Sequence, residues 1–271
     1  MTTENPTTEP TSPVNVICIQ WGRFYGADYV NRLYSMIKRN TNLPIKFHVF
    51  SNESLPGLSE EIVHLKEPGI KIAEQYKNYN YRRSAGFCDD NLAGLKGQRV
   101  FSFDLDVLIM DNLDELFTYP KDDQFYIIND WNTKGDHVGQ GTCYSFVVGT
   151  LGYIKEYFEE HSEEVIAKYG TATQQYLSAK IIEKYGKLNF WPEDWFQSFK
   201  YHCLPNPLMR RILTPKKPKP GTKLLAFHGS PNMEDAIAGR WCAPDGKKVS
   251  KGIKKIYKAC RKVPWIEDIW K

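Results

Sequence analysis

The sequence lacks the features that mark several whole classes of protein. No stretch approaches the roughly 18 consecutive apolar residues of a membrane-spanning helix. The opening MTTENPTTEPTSP has neither the basic region nor the apolar core of a secretory leader. The six cysteines, Cys18, Cys88, Cys143, Cys203, Cys242 and Cys260, are scattered with no C-x-x-C pair. Neither a zinc knuckle nor a disulfide framework is suggested by that spacing, and a reducing cytoplasm is the expected compartment. No internal repeat, glycine period or heptad pattern appears, which excludes a fibrous or coiled-coil chain.

What is present is a globular composition: 271 residues, 41% hydrophobic and 25% charged, enough for a sizeable core in one α/β domain. Charge is distributed unevenly. Residues 201–271 hold 16 Lys+Arg against 5 Asp+Glu, a net +11, whereas residues 1–200 hold 20 against 27, a net −7. Such a split implies an anionic partner for the later segment: membrane headgroups, a phosphorylated substrate or nucleic acid.

Residues 1–13, polar and proline-rich, read as a disordered tail. Folding is expected from Val14. Val14 to Ile19 reads as a strand ending at Trp21-Gly22, and Tyr29 to Ile37 repeats apolar positions three and four apart, as a helix does. Further strands are expected at Lys46–Phe50, Ile62–Leu65, Arg99–Ile109, Phe125–Ile128, Cys143–Val148 and Lys223–His228. Helices are expected around Tyr81–Phe87, Ile154–His161 and Thr173–Tyr185. Strands alternating with helices predict a mostly parallel central sheet flanked by helices, spanning 14–245. Pro215 to Pro220 reads as a stiff basic connector, and 246–271 as a basic C-terminal segment with a helix over Lys247–Lys262.

Asp104 and Asp106 stand out because they interrupt the apolar run from Phe101 to Ile109. An ionised carboxylate in a dry strand is costly unless it is paired or binds a cation. On one extended strand, positions i and i+2 face the same way, so the two could share a divalent ion beyond a strand end, where open α/β sheets gather ligands. The alternative is a solvated strand end.

Phe103-Asp104-Leu105-Asp106 resembles the DxD motif of GT-A (Rossmann-like) glycosyltransferases, especially retaining lipopolysaccharide galactosyltransferases and glycogenin-like enzymes. Three other segments resemble that family in order: the opening strand with Trp21 to Asn31, the pair Arg82 and Arg83 before the DxD strand, and Phe227-His228-Gly229. The likeness implies that manganese or magnesium is held by Asp104, Asp106 and His228 and bridges to the diphosphate of a UDP-sugar. It also implies donor contacts from Trp21, Tyr25, Tyr29, Leu105 and Gly229, with Arg82 or Arg83 neutralising phosphate. Gln174 and Gln175 fall where the family places a residue facing the anomeric carbon, and an amide there favours retention without a stable glycosyl-enzyme.

One departure is plain. The family's Lys-Pro after His-Gly is replaced by Ser230 to Met233, which leaves Lys223, Arg240 or the arginine pair as substitutes. An inverting reaction would instead need Asp194 or Glu193 as general base. Asn129 to Asn132 could bind sugar hydroxyls or form a turn. His228, by itself, could equally be a hydrogen-bonded core residue.

The expectation is therefore a metal-dependent hexosyltransferase acting in glycolipid or polysaccharide synthesis. It would be cytoplasmic, with its basic tail and Trp265, Ile266, Ile269 and Trp270 against the anionic inner membrane face. The alternatives are a sugar nucleotidyltransferase or a nucleic-acid-binding module using the basic C-terminus. The acidic remainder argues against nucleic acid as a partner.

Overall fold

The computed structural model describes residues 12–22, 24–133, 135, 137–242 and 258–271. The expected tail up to residue 11, and most of the expected basic helix, lie outside the described residues; residues 258–262 are not helical.

β1 (Val14–Ile19) is followed by α1 (Ala27–Arg39), whose buried stripe is Tyr29, Val30, Leu33, Met36 and Ile37. β2 (Ile45–Phe50) and β3 (Ile62–Leu65) extend the sheet in parallel on one side of β1. The short α2 (Tyr81–Ser84) leads to β4 (Arg99–Phe103), parallel to β1 on its other side. β5 (Val107–Ile109), α3 (Asp114–Thr118) and β6 (Tyr126–Asn129) come next, then the long β7 (Gly139–Val147), antiparallel to both β4 and β6. α4 (Gly152–Glu160), α5 (Ser162–Tyr169) and α6 (Thr173–Tyr185) precede β8 (Asn189–Phe190). The chain continues through β9 (Phe196–Ser198), β10 (Leu224–Ala226), α7 (Met233–Ala238) and α8 (Trp265–Ile269).

The main sheet has the order β3-β2-β1-β4-β7-β6-β8, and a small sheet has the order β5-β10-β9. Period-2 alternation divides each central strand between two cores. Val16 and Cys18 of β1 and Phe101 and Phe103 of β4 pack with α1 on one face. Ile17, Ile19 and Val100 pack with Phe158, Tyr176 and Ile181 of α4 and α6 on the other. The mostly parallel sheet flanked by helices is as the sequence predicts.

Two expectations are corrected. The single strand expected over 99–109 is two strands in different sheets, broken at Asp104-Leu105-Asp106. β10 diverts the chain: Ala226 pairs with Val107, and the Phe227 N–H donates to the Asp106 carbonyl at 2.9 Å. The carboxylates thus sit half-buried on a turn at the sheet rim and not within a strand of the dry interior.

The apolar residues expected on a membrane are also placed otherwise. Ile266 and Trp270 are 0% and 4% exposed, and Trp265 and Ile269 pack partly buried on the same core. Arg32 holds Trp270 there, its guanidinium 4.1 Å from the ring centre and Nη1 donating to the Trp270 carbonyl at 2.8 Å.

At a register shift between β6 and β7, a methyl on Gly139 would lie 2.5 Å from Ile127 Cδ1. Gly139→Ala should therefore cost about 1–3 kcal/mol by overpacking. Combined with Ile127→Ala, the cost should be clearly less than additive in urea unfolding midpoints. Additive losses would mean that the close approach is not what requires glycine.

Candidate active site

The site is built on one buried cation. Arg83, carried by α2, is 5% exposed, and its partners come from β4, β7 and the turn after β4. Its Nη1 lies 2.7 Å from Asp104 Oδ1, and its Nη2 donates to Ser102 Oγ at 3.1 Å and the Thr142 carbonyl at 3.4 Å. The guanidinium carbon stands 4.9 Å from the Tyr144 ring centre. Burial opposes the charge, but Asp104, with Tyr144, Cys143 and Asp106, outweighs it and holds the arginine's pKa above its ordinary value. Asp104 is itself fixed by its N–H donating to the Thr142 carbonyl at 2.9 Å.

Asp106 is the remaining carboxylate of the turn. Burial, then the charge of Asp104, raises its pKa to about 8. Asp104 is raised as well by burial, against the pull of Arg83 and a hydrogen bond from Thr142. Tyr25 Oη donates to Asp106 Oδ2 across a long 3.5 Å, and burial followed by Asp106 pushes the phenol's pKa up, so it stays a neutral donor. A cleft of about 470 Å³ opens over this turn, lined by Trp21, Tyr25, Asn80, Arg83 and Asp104–Asp106. A smaller chamber of about 80 Å³ continues beneath it, walled by Arg83, Asp104, Gln140 and Gln174.

Of the sequence-derived donor residues, Trp21, Tyr25, Arg83 and Leu105 line the cleft. Tyr29 does not. It is buried behind Tyr25, with ring centres 4.4 Å apart, and its other side meets Trp270 at 5.0 Å. Arg82 is turned to Glu67 at 3.0 Å, its guanidinium 5.6 Å from the Trp21 ring, so only the second arginine of the pair reaches the carboxylates. Gly229 lies outside the cleft lining, at φ +78°, turning the chain after β10.

The glutamine pair also divides. Gln174 lines the chamber and accepts from the Gly141 N–H at 3.2 Å, whereas Gln175 is exposed and outside it.

Of the expected substitutes for the missing lysine, Arg83 of the arginine pair lines the cleft, whereas Lys223 and Arg240 do not. Lys223 Nζ lies 3.2 Å from Glu115 and donates to the Asn112 carbonyl, and Arg240 Nε lies 2.7 Å from Asp235. Glu193 accepts from Asn129 Nδ2 at 3.1 Å and Asp194 pairs with Lys219, so neither lines the cleft as a base would.

His228 follows β10 beside the turn, but its imidazole is engaged elsewhere. Nε2 shares a 2.6 Å hydrogen bond with Ser198 Oγ, and the ring stacks on Trp131 with centres 5.5 Å apart and planes 12° from parallel. Burial, then Lys200, lowers its pKa to about 4, against Asp130, which raises it. Trp131 therefore spends one face on His228.

Sequence reasoning missed Asn80 and Ser198. Asn80 lines both cavities, and its buried Oδ1 lacks a hydrogen-bond partner. Its only signal was its place directly before the Tyr81-Arg82-Arg83 run.

The fit to a divalent cation can be judged from these groups. Two carboxylates on one turn, one of them paired with Arg83, offer the hard oxygen ligands that a divalent cation takes. Among the described residues, no three His, Cys, Asp or Glu side chains converge as a metal set, and His228 is held by Ser198. Asp104 and Asp106 thus fit, and the imidazole would have to exchange its partner.

No protein-family model matches the chain, and no curated protein matches it in sequence. Solved structures do match. The galactosyltransferase LgtC in complex with donor and acceptor sugar analogs is similar over 81% of this chain and 89% of its own, with 12% identity and a TM-score of 0.52. The apo form of the glycosyltransferase GlyE of Streptococcus pneumoniae is similar over 82% of this chain and 56% of its own, with 10% identity and a TM-score of 0.52. The fold is that of GT-A glycosyltransferases.

Asp106 gives a pH signature. Its native pKa of about 8 stands above the ordinary 3.8, so between these values the unfolded chain has lost a proton that the native protein keeps. Stability of the cation-free protein should fall as pH rises through that window and level off above it. Asp106→Asn should remove this component of the slope in urea unfolding with chelator present. An identical slope in the variant would contradict the shift.

Proposed function

We propose that the chain is a metal-dependent glycosyltransferase moving a sugar from a nucleotide-sugar, by preference a UDP-sugar, to an acceptor hydroxyl of a glycolipid or polysaccharide. The observation that carries this reading is the pair of carboxylates at the cleft mouth. Arg83 is ion-paired with Asp104, and Asp106, kept protonated by burial and by Asp104 in the free protein, would release its proton to a divalent cation. The bound cation would then form a positive centre suited to a diphosphate. A donor of that kind also needs a planar wall for its base, and Trp21 and Tyr25 supply aromatic faces on the same cleft.

A bound manganese or magnesium ion would act as a Lewis acid on the leaving diphosphate. Asp104 and Asp106 would hold it. His228 is the third ligand in this reading and must give up Ser198 to serve. Arg83 pulls Asp104 toward its ionised form against the effect of burial and would add positive potential where the leaving group gathers charge. In the reaction the bond from the anomeric carbon to the diphosphate oxygen breaks, the acceptor oxygen bonds to that carbon, and the acceptor proton leaves on the diphosphate. Gln174, in the chamber beside Asp104, presents an amide that can stabilise an oxocarbenium-like state but is no nucleophile, which favours retention by front-face attack.

Thermal unfolding with UDP, GDP, CDP and their sugar conjugates, each with and without manganese, tests this. Saturation at about 100 times Kd adds about 2.7 kcal/mol, which gives a readily measured shift. Stabilisation by uridine nucleotides only with manganese is expected. No response, or an equal one without metal, would overturn the reading. Asp104→Asn and Asp106→Asn should fold yet lose the metal-dependent shift. His228→Ala should weaken manganese affinity by about tenfold, less than either aspartate variant. Unchanged affinity in that variant would mean that His228 only packs on Trp131 and Ser198.

A further inference from the structure

The cleft at Asp104 leaves unexplained the basic, apolar surface at the start of the positively charged third of the chain. Between Leu204 and Lys216 the backbone forms a braced projection. Asn206 Oδ1 accepts from the Leu208 N–H at 3.1 Å, capping a short turn over Pro207–Met209. Arg210 Nε donates to the Pro205 carbonyl at 3.2 Å, and Arg261 Nη1 donates to the Ile212 carbonyl at 3.1 Å. On this braced segment Leu208, Ile212, Leu213 and Met209 are 73%, 63%, 49% and 37% exposed. Scattered exposed aliphatic residues are ordinary, but four within six residues on an ordered turn form a patch.

Beside the patch lies a cleft of about 490 Å³, lined by Arg210, Arg211, Thr214, Arg261 and Lys262. Guanidinium groups and a hydroxyl at one concave site match phosphate oxygens. Arg211 and Arg261 of this lining are exposed, and so are Lys216 and Lys217 a few residues further along the chain.

We propose that this projection and its basic cleft form a docking site for the phosphate-bearing headgroups of an anionic bilayer, with Leu208, Ile212 and Leu213 entering the acyl boundary. The combination decides the occupant. Phosphates complement the cations, and a bilayer takes the aliphatic side chains out of water as well; on a nucleic acid they would stay exposed. The site is distinct from the C-terminal aromatics, which the core occupies. It stands independently of the donor chemistry, since it needs neither cation nor nucleotide. The projection follows directly on the Phe199–Cys203 turn, whose Tyr201 ring lies 5.4 Å from that of His228.

Co-sedimentation of the full chain with vesicles of phosphatidylcholine alone, or of equimolar phosphatidylcholine and phosphatidylglycerol, tests the proposal. The mixed vesicles should bind at least about tenfold more tightly. Combined Leu208→Ser, Ile212→Ser and Leu213→Ser should lower that binding by about tenfold or more, as should combined Arg211→Glu and Arg261→Glu. Thermal unfolding should be unchanged in the serine variant, and the glutamate variant, which loses the Arg261 hydrogen bond to the Ile212 carbonyl, should remain folded by circular dichroism at the assay temperature. Leu208→Ser alone, at the most exposed site, should show a smaller loss in the same direction and covers the case in which a multiple variant fails to fold. Equal binding to both vesicle types, variants that bind like the parent, or tighter binding to single-stranded RNA than to mixed vesicles at the same salt would overturn the proposal.

Discussion

A guanidinium taken out of water must be neutralised where it lies, because an unpaired buried charge costs several kcal/mol. Arg83 meets that condition through Asp104 at 2.7 Å, Ser102 Oγ, the Thr142 carbonyl and the face of Tyr144. Each partner comes from β4, β7 or the turn after β4, so the arginine joins α2 to the two strands that frame the cleft. Meeting its demand uses up one carboxylate of the turn. The second, Asp106, meets the hydroxyl of Tyr25 at 3.5 Å, and the proposed cation chemistry of the cleft rests on this second carboxylate.

A second constraint fixes the other wall. Tyr25 is backed by Tyr29, Tyr29 by Trp270, and Trp270 is held by Arg32 from one turn further along α1. Arg39 adds a hydrogen bond to the Ile269 carbonyl at 2.9 Å. Aromatic contacts of this kind contribute on the order of 1 kcal/mol each beyond area burial, and their larger effect here is to fix ring orientation. Residues more than 200 positions apart thereby set where a phenol meets a carboxylate.

Local periodicity made much of this legible. β1, α1, β2 and α6 lie close to where alternation and 3.6-residue spacing place them, and carboxylates inside an apolar run marked Asp104 and Asp106 before any geometry was known. The break at that motif was not legible. Phe101 to Ile109 is apolar on both sides of the pair, and only the pairing of Val107 with Ala226, far along the chain, shows that two strands are involved. The same holds for His228, whose partner Ser198 is 30 residues away, and for Trp270, whose burial depends on Arg32. Choosing Gln174 over Gln175 needed the helix phase relative to β7, which one sequence window does not carry. The distribution of positive charge pointed to an anionic partner, but the exposed aliphatic residues beside it lay at Leu208 to Leu213 and not in the aromatic tail.

The account's central claim is that Asp104 and Asp106 hold a divalent cation against a nucleotide diphosphate. Diffraction from crystals grown with manganese and UDP, recorded on both sides of the manganese absorption edge, tests it most directly. The account predicts one anomalous peak between the two carboxylates, with the nucleotide in the cleft beside Trp21 and Tyr25. A nucleotide bound with no manganese at the turn, or a manganese peak on other residues, would contradict it.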